Sequence, residues 1–208
     1  MNYLQPSEYG TYGLEPTTPA ALVTAASTVI DAYCRRASLA VTQYSERLRL
    51  AAGRNTVRVS YLPLAAVPPA TSTIFSARAR FAVPRRGEWP FDDLSSDAAL
   101  VFGLPGTWTD IDPATIDAYP ETGELTLPVN AIGLGFSEVE VVYTAGLVTL
   151  PDAVKIACAQ IVRNAQATPA LNVRSEQLDR MRLDYFADTL VDQTVSTLLA
   201  PYVAQKVG

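Results

Sequence analysis

Residues 139–162, VEVVYTAGLVTLPDAVKIACAQIV, begin with the pattern of a β-strand. Val139, Val141 and Tyr143 alternate with acidic side chains in the first part of this stretch. A period of two places the apolar side chains on one face of a strand and the carboxylates on the other. The stretch therefore predicts a half-buried strand that stops at the Thr-Ala-Gly tripeptide.

The same stretch continues into a helix after a break at Gly146, a residue that can adopt positive φ. Pro151 suits the first helical position, because its φ is already helical and its missing N–H is not needed there. Asp152 follows in the first turn, where the helix dipole favours a negative charge. Small and apolar residues then recur at three- and four-residue steps and predict a core face made of Val154, Ala157, Cys158, Ile161, Val162 and Ala165.

An earlier amphipathic helix is predicted over residues 19–36. Thr18 is the predicted N-cap, and Pro19 takes the first helical position. The predicted apolar stripe consists of Leu22, Ala26, Val29, Ile30 and Tyr33. Such a stripe needs a partner, so this helix is expected to pack against the helix of residues 154–165.

The segment between the two helices has the alternation and turn chemistry of a β domain. Residues 43–50 and 56–61 alternate on either side of a turn signal at 53–55, which predicts a hairpin. Further strands are predicted at 73–83, 98–102, 115–119, 125–127 and 136–143. Roughly six short strands predict a small antiparallel sandwich or barrel inserted between the helices.

The two ends of the chain lack sustained periodicity. Residues 1–15 contain three tyrosines, and two interpretations stay open: an extended arm that contacts a partner, or a tail folded back on its own domain. Near the other end, residues 180–185 alternate and favour an extended arm. Residues 191–203 predict a terminal helix.

Together these patterns predict an α+β fold: a small bundle of α-helices, an inserted antiparallel β domain of sandwich or barrel type, and extended N- and C-terminal arms. The predicted parts are 1–40, the N-terminal arm and first helix; 41–145, the inserted β domain; 146–170, the second helix; and 171–208, the C-terminal arm and terminal helix.

The composition argues against several classes of site. The chain has no histidine, which removes the commonest general base and the commonest transition-metal ligand. A formal net charge of -5 provides no basic surface for non-specific nucleic-acid binding. Cys34 and Cys158 lie among apolar residues and are predicted to be buried, reduced thiols. Membrane insertion and signal-peptide export are not expected, because no apolar run approaches the ~20 residues that a spanning helix needs.

Two charged clusters have both a functional and a structural interpretation. Acidic residues in turns invite a metal or paired-carboxylate site, but none has the spacing of a calcium-binding loop, and turn roles are favoured for Asp92, Asp93, Asp97, Asp110, Asp112 and Asp117. A basic cluster near Phe81 and Trp89 could contact phosphate or an acidic partner, although the polar face of an exposed strand is favoured for Arg78, Arg80, Arg85 and Arg86. No cofactor or metal is predicted.

Three segments, in order, carry a resemblance to a known family. The first segment is 30–36, IDAYCRR, followed by 44–50, YSERLRL. The second segment is 143–161. The third segment is 173–176, VRSE, with the alternating residues 180–185 and then 198–202, LLAPY. In this order and spacing they resemble the head–tail connector, or neck adaptor, proteins of tailed bacteriophages. The long β insertion departs from the compact members of that family.

The resemblance implies a non-enzymatic structural protein of the virion neck, made in the host cytoplasm and in contact with no membrane. It implies a dodecameric ring that docks beneath the portal protein, continues the channel for double-stranded DNA without binding it specifically, and meets a stopper or tail-completion protein. Contacts with the portal or between subunits are expected at Arg174, Arg180, Arg182, Tyr185, Tyr202 and Lys206. Deleting residues 173–208 is expected to abolish portal binding and to leave the helical core folded.

Three alternatives stay open from the sequence. The chain could be a tail-completion protein one layer lower in the neck. It could be a β-module that binds carbohydrate or protein on a surface. A carboxylate-based hydrolase would need a pocket with two close acids, one of them with a raised pKa.

Overall fold

A computed structural model describes residues 2–51, 53–66, 72–82, 97, 100–104, 106–129, 135–167, 175–178, 181–184 and 190–204. The chain forms two compact units. The helical unit comprises Met1–Leu39 and Thr149–Val203, and the β unit comprises Ala40–Val148 and Ala204–Gly208. Over the described ranges, no helix is long and apolar enough to cross a membrane.

The described residues form a mixed α+β fold, as predicted. The helical unit contains α1 (Ala20–Tyr33), α2 (Asp152–Ala167), α3 (Gln193–Leu199), β8 (Ser175–Leu178) and β9 (Met181–Asp184), with 3₁₀ turns at Pro6–Glu8, Gly10–Tyr12 and Ala200–Tyr202. The β unit contains β1 (Thr42–Arg49), β2 (Thr56–Arg58), β3 (Ile74–Phe81), β4 (Trp108–Ile111), β5 (Asp117–Tyr119), β6 (Glu124–Thr126) and β7 (Phe136–Ala145), with a 3₁₀ turn at Pro113–Thr115.

The stretch 139–162 forms the predicted strand and helix, but the helix begins at Asp152, one residue after the proline that was predicted to take the first helical position. Val139, Val141 and Tyr143 of β7 are all fully buried. The helix α2 follows, and five of the six predicted core residues are buried: Val154, Ala157, Cys158, Ile161 and Val162. The sixth, Ala165, is only partly buried. Both periods are local properties of the chain, so they can be read before any tertiary contact is known.

The three helices share one apolar core. α1 contributes Val23 and Ile30, α2 contributes Ile161, and α3 contributes Val195 and Leu199. The predicted packing of the first helix against α2 is confirmed, as is the predicted terminal helix. The most buried face of α1 includes Val23 and Ser27, whereas Leu22, Val29 and Tyr33 are only partly buried.

The N-terminal segment is folded back on the helical unit and is not an extended arm. It forms two 3₁₀ turns, and Tyr3, Leu4 and Tyr9 are almost completely buried in the core of the helices. The Tyr3 hydroxyl donates a hydrogen bond to Asp31 and accepts one from the backbone N–H of Leu39. Of the two interpretations left open for residues 1–15, the folded-back tail is therefore confirmed. Burial of the tyrosine rings in their own domain removes apolar area from water, which stabilises this arrangement.

Thr18 is not the N-cap of α1. The cap position is Pro19, which has extended backbone angles and provides no side-chain cap. Thr18 is instead 7% exposed, and its hydroxyl has no hydrogen-bond partner among the described residues. The prediction failed because the helix begins one residue later than a proline at the first helical position would require.

In its described part, the β unit places seven strands in two antiparallel sheets. The four-stranded sheet has the order β1-β7-β3-β4, and the three-stranded sheet has the order β2-β6-β5. Leu48 and Val141 from the first sheet and Leu125 from the second belong to one apolar cluster. Two sheets that share a core in this way form a small sandwich.

The predicted hairpin between residues 43–50 and 56–61 is wrong. β1 pairs with β7 along its whole length, whereas β2 pairs with β6 in the other sheet. Alternation identifies a strand but does not select its partner. β7 is the longer partner, and it places acidic residues opposite Arg47 and Arg49.

The predicted strand at residues 98–102 is also wrong. The described residues Asp97, Leu100 and Val101 are helical, and Ala98 and Ala99 lie outside the described residues. A strand that the sequence did not predict, β4, follows and pairs with β3. β4 has only four residues, Trp108–Ile111. One face carries an aromatic and a charged residue, and the other carries a polar and an apolar residue, so the sequence shows no period of two.

Gly146 lies where the chain leaves the β unit, close to the segment by which the chain enters it. Its φ is +139°, and a Cβ built there would lie 2.5 Å from the carbonyl oxygen of Ala40. Ala40 forms a parallel bridge with Leu147, so the chain enters and leaves the β unit at adjacent points. Gly146, the residue predicted to break the strand, thus uses the positive φ that glycine can adopt.

Candidate functional site

The six residues expected at the interface fall mostly where the structure gives no side-chain detail. Arg174, Arg180, Tyr185 and Lys206 lie outside the described residues. Arg182 lies in β9, which pairs antiparallel with β8 and places it opposite Gln177. Tyr202 lies in the last 3₁₀ turn, is partly buried and packs against the helical core. The described residues therefore do not assemble the six into one surface.

A polar cluster holds the N-terminal segment on α2. Lys155 forms a salt bridge with Glu8 and lies 5.9 Å from the centre of the Tyr12 ring. The Tyr12 hydroxyl donates a 2.7 Å hydrogen bond to Asp152. The Lys155 ammonium lowers the pKa of Glu8, and a backbone N–H from Gln5 lowers it further. This cluster attaches the N-terminal segment to α2.

Arginines, glutamates and a tryptophan cover the outer face of the four-stranded sheet. Arg47 on β1 pairs with Glu138 on β7, and Arg78 on β3 pairs with Glu140 at 2.8 Å. The guanidinium carbons of Arg47 and Arg78 each lie 5.2 Å from the centre of the Trp108 ring. Every one of these groups already has a partner within the chain, so the array stabilises the sheet.

The predicted basic cluster is only partly described. Arg78 and Arg80 project from β3, whereas Arg85, Arg86 and Trp89 lie outside the described residues. The Arg80 Nε donates a 2.8 Å hydrogen bond to the carbonyl of Gly106. In the structure, Arg78 and Arg80 lie on the polar face of a strand, which was the favoured interpretation. Arg47 and Trp108 join them by cross-strand contact, which sequence spacing does not reveal.

The outer face of the three-stranded sheet is arranged differently. Arg58 on β2, Glu124 on β6 and Tyr119 on β5 lie in one row across it. An open cleft of about 490 Å³ is lined by Thr56, Val57, Arg58, Thr122 and Glu124. Sequence analysis did not predict this cleft, because its lining comes from β2, β6 and the turn before β6, and the pairing of β2 with β6 was not predicted.

Among the described acidic residues, the predicted turn role is confirmed for Asp112 and is wrong for the other three: Asp110 lies in β4, Asp117 lies in β5 and Asp97 is helical. The Asp112 side chain accepts a 3.0 Å hydrogen bond from the N–H of Ala114 and caps the 3₁₀ turn that follows it. The negative charge of Asp117 raises the pKa of the Tyr119 phenol. Asp92 and Asp93 lie outside the described residues. Within the described ranges, no group of three His, Cys, Asp or Glu residues could hold a metal ion.

The two cysteines are buried, free thiols, as predicted. Burial raises the pKa of Cys34 to about 11 and the pKa of Cys158 to about 11. A thiol with so high a pKa is almost entirely protonated at neutral pH and is a poor nucleophile.

No protein-family model matches the chain, and no curated protein matches it.

Proposed function

We propose that the chain is a structural subunit of the head–tail connector of a tailed bacteriophage. In this role it is not an enzyme. It forms a dodecameric ring beneath the portal protein, joins the DNA-filled head to a stopper or tail-completion protein, and lets double-stranded DNA pass through the lumen without specific binding. Its site of action is the neck of the virion.

One observation carries the proposal: the segments that resemble the connector family are neighbours in space as well as ordered in sequence. Tyr44, in the segment that follows the first helix, is the register partner of Tyr143, which opens the second segment. The rings of these two tyrosines lie 6.0 Å apart. α1, which contains the start of the first segment, packs on α2, and so does α3, which contains Leu198 and Leu199 of the third.

The C-terminal segment is the proposed portal contact. Arg174, Arg180, Arg182 and Tyr185 belong to the part of the sequence between α2 and α3, where β8 and β9 pair antiparallel in place of the predicted extended arm, and Tyr202 and Lys206 follow nearer the C-terminus. Deleting residues 173–208 does not test this idea cleanly, contrary to the expectation from sequence. The deletion would remove Val195 and Leu199, which are fully buried in the helical core.

Point substitutions in the full chain provide a cleaner test. The chain is mixed with the portal protein encoded beside it, and the mass of the complex is measured by sedimentation. We expect a portal-bound ring of about a dozen copies. In such a closed ring, one type of interface between subunits is repeated around the symmetry axis. The double variant Arg180→Ala/Arg182→Ala is expected to lose portal binding, because charged contacts in an interface each contribute strongly when they are desolvated.

A matched double variant controls for the loss of two positive charges. Arg49→Ala/Arg54→Ala removes two exposed arginines from the β unit and is expected to bind portal as the unaltered chain does. An unaltered chain that stays monomeric in the presence of portal would contradict the connector proposal. Equal loss of binding in both double variants would contradict the assignment of the contact to the C-terminal segment.

A further inference from the structure

Opposite charges on the outer face of the three-stranded sheet lie side by side without pairing. Arg58 and Glu124 are register partners on neighbouring strands, and both are exposed. They nevertheless form no salt bridge with each other or with any other described residue. On the four-stranded sheet, by contrast, Arg47 and Arg78 each have a carboxylate partner across the strand.

The Arg58 side chain is held in place and still has donors to spare. Its Nε donates a 2.9 Å hydrogen bond to the backbone carbonyl of Thr122. A guanidinium has five N–H donors, so the other four are available to a molecule in the cleft. The Glu124 carboxylate beside it offers only acceptors. A donor set and an acceptor set therefore border the same cleft.

An aromatic ring continues this row. Tyr119 is the register partner of Glu124 on the other side, and its side chain is 51% exposed. Asp117 lies two residues away on the same face of β5. The Tyr119 ring therefore presents an exposed apolar face on the same side of the sheet as Glu124.

We propose that this cleft, lined by Arg58 and Glu124 and continued along the sheet by Tyr119, binds a neutral saccharide. A sugar presents hydroxyl groups that both donate and accept, which matches the paired donor and acceptor sets of Arg58 and Glu124. Its C–H face can lie on the Tyr119 ring. The volume of about 490 Å³ lies in the range of small-ligand sites, roughly 300–1,000 Å³.

The charges of the site favour a neutral ligand over an anionic one. Arg58 contributes one positive charge, whereas Glu124 and Asp117 contribute two negative charges on the same face. A phosphate or sulfate group would pair with Arg58 but would be repelled by the carboxylates. This binding site is independent of the connector proposal, since all its residues belong to the β unit.

A glycan array probed with the labelled full-length chain tests the proposal, and calorimetry with the best neutral oligosaccharide measures the affinity. We expect binding to neutral glycans. Tyr119→Ala and Arg58→Ala should each weaken it by about tenfold or more, since each removes an anchor of the ligand. Arg49→Ala, which removes an exposed arginine from the other sheet, should bind as the unaltered chain does.

Three results would overturn the proposal. One is the absence of any glycan bound above background by a chain that circular dichroism shows to be folded. Another is binding confined to sulfated or other anionic glycans and lost equally in Arg49→Ala, which would indicate general charge attraction. The third is neutral-glycan binding that Tyr119→Ala and Arg58→Ala leave unchanged. None of these results bears on portal binding, which sedimentation measures separately.

Discussion

At Gly146 the backbone of a neighbouring segment occupies the space that a side chain would need. A Cβ there would lie 2.5 Å from a carbonyl oxygen and 2.8 Å from the Cα of Val41. Neither atom can move without shifting the first strand of the β unit. We expect Gly146→Ala to lower the free energy of unfolding by about 2–4 kcal/mol, because it adds both a backbone clash and an unfavourable φ. Denaturant unfolding measures this loss.

Substitutions at two other glycines distinguish the effect of the backbone clash from the effect of the positive φ. Gly53 has a φ of +73° with open space around it, so Gly53→Ala should cost only about 1 kcal/mol from backbone strain. Gly135 has neither positive φ nor a close neighbour, so Gly135→Ala should change stability by less than about 0.5 kcal/mol. Equal losses at Gly146 and Gly53 would show that the close approach of Ala40 does not matter.

Single residues could be predicted where the reason is local. Gly146 directly follows a clear strand, so a break in the chain there was predictable. Cys34 and Cys158 lie among apolar residues, so their burial was predictable as well. Thr18 was not, because the choice between a threonine cap and a proline cap depends on where the first helical turn closes. Tyr3 was not either, since a partner 28 residues away decides its burial.

At the scale of elements, the attachment of the first 3₁₀ turn to α2 depends on pH. The salt bridge with Lys155 lowers the pKa of Glu8, so the ionised carboxylate is favoured in the folded state. Its contribution to stability is present above the pKa of the unfolded chain and is lost as pH falls through the lower folded value. We expect Glu8→Gln to be less stable than the unaltered chain at neutral pH, and the difference to shrink as the solution is acidified.

Urea unfolding at a series of pH values from neutral into the acid range provides the measurement. Glu15→Gln is the matched control, since Glu15 is exposed near the same turn and forms no salt bridge with a described residue. It should show no difference at any pH. A Glu8→Gln variant whose deficit stays constant as pH falls would contradict the ionic origin of the attachment.

Elements were predictable in type but not in partner. The alternation of β7 and the helical period of α2 are each visible in a short stretch of consecutive residues, and both were predicted. The pairing of β1 with β7 joins residues about a hundred positions apart, so nothing local distinguishes it from a hairpin with β2. The cleft beside Arg58 was missed for the same reason, because it exists only once β2 and β6 are aligned.

At the scale of the whole molecule, each unit has an apolar cluster of its own. We therefore expect residues 40–148 to fold when expressed alone. We also expect the rest of the chain to fold when Leu39 is joined to Thr149 by a short glycine–serine linker. Circular dichroism and the dispersion of amide signals in NMR spectra measure this. If both pieces are unfolded while the full chain is folded, the two clusters depend on each other.

The bridge between Ala40 and Leu147 has a consequence for how such a chain could have arisen. A segment whose two ends are held side by side costs its host little more conformational entropy than a short loop, however many residues it contains. A gene could therefore gain, lose or exchange the β unit without disturbing the packing of α1 on α2. Variation among related chains should then be greatest between these two residues, in length as well as in sequence.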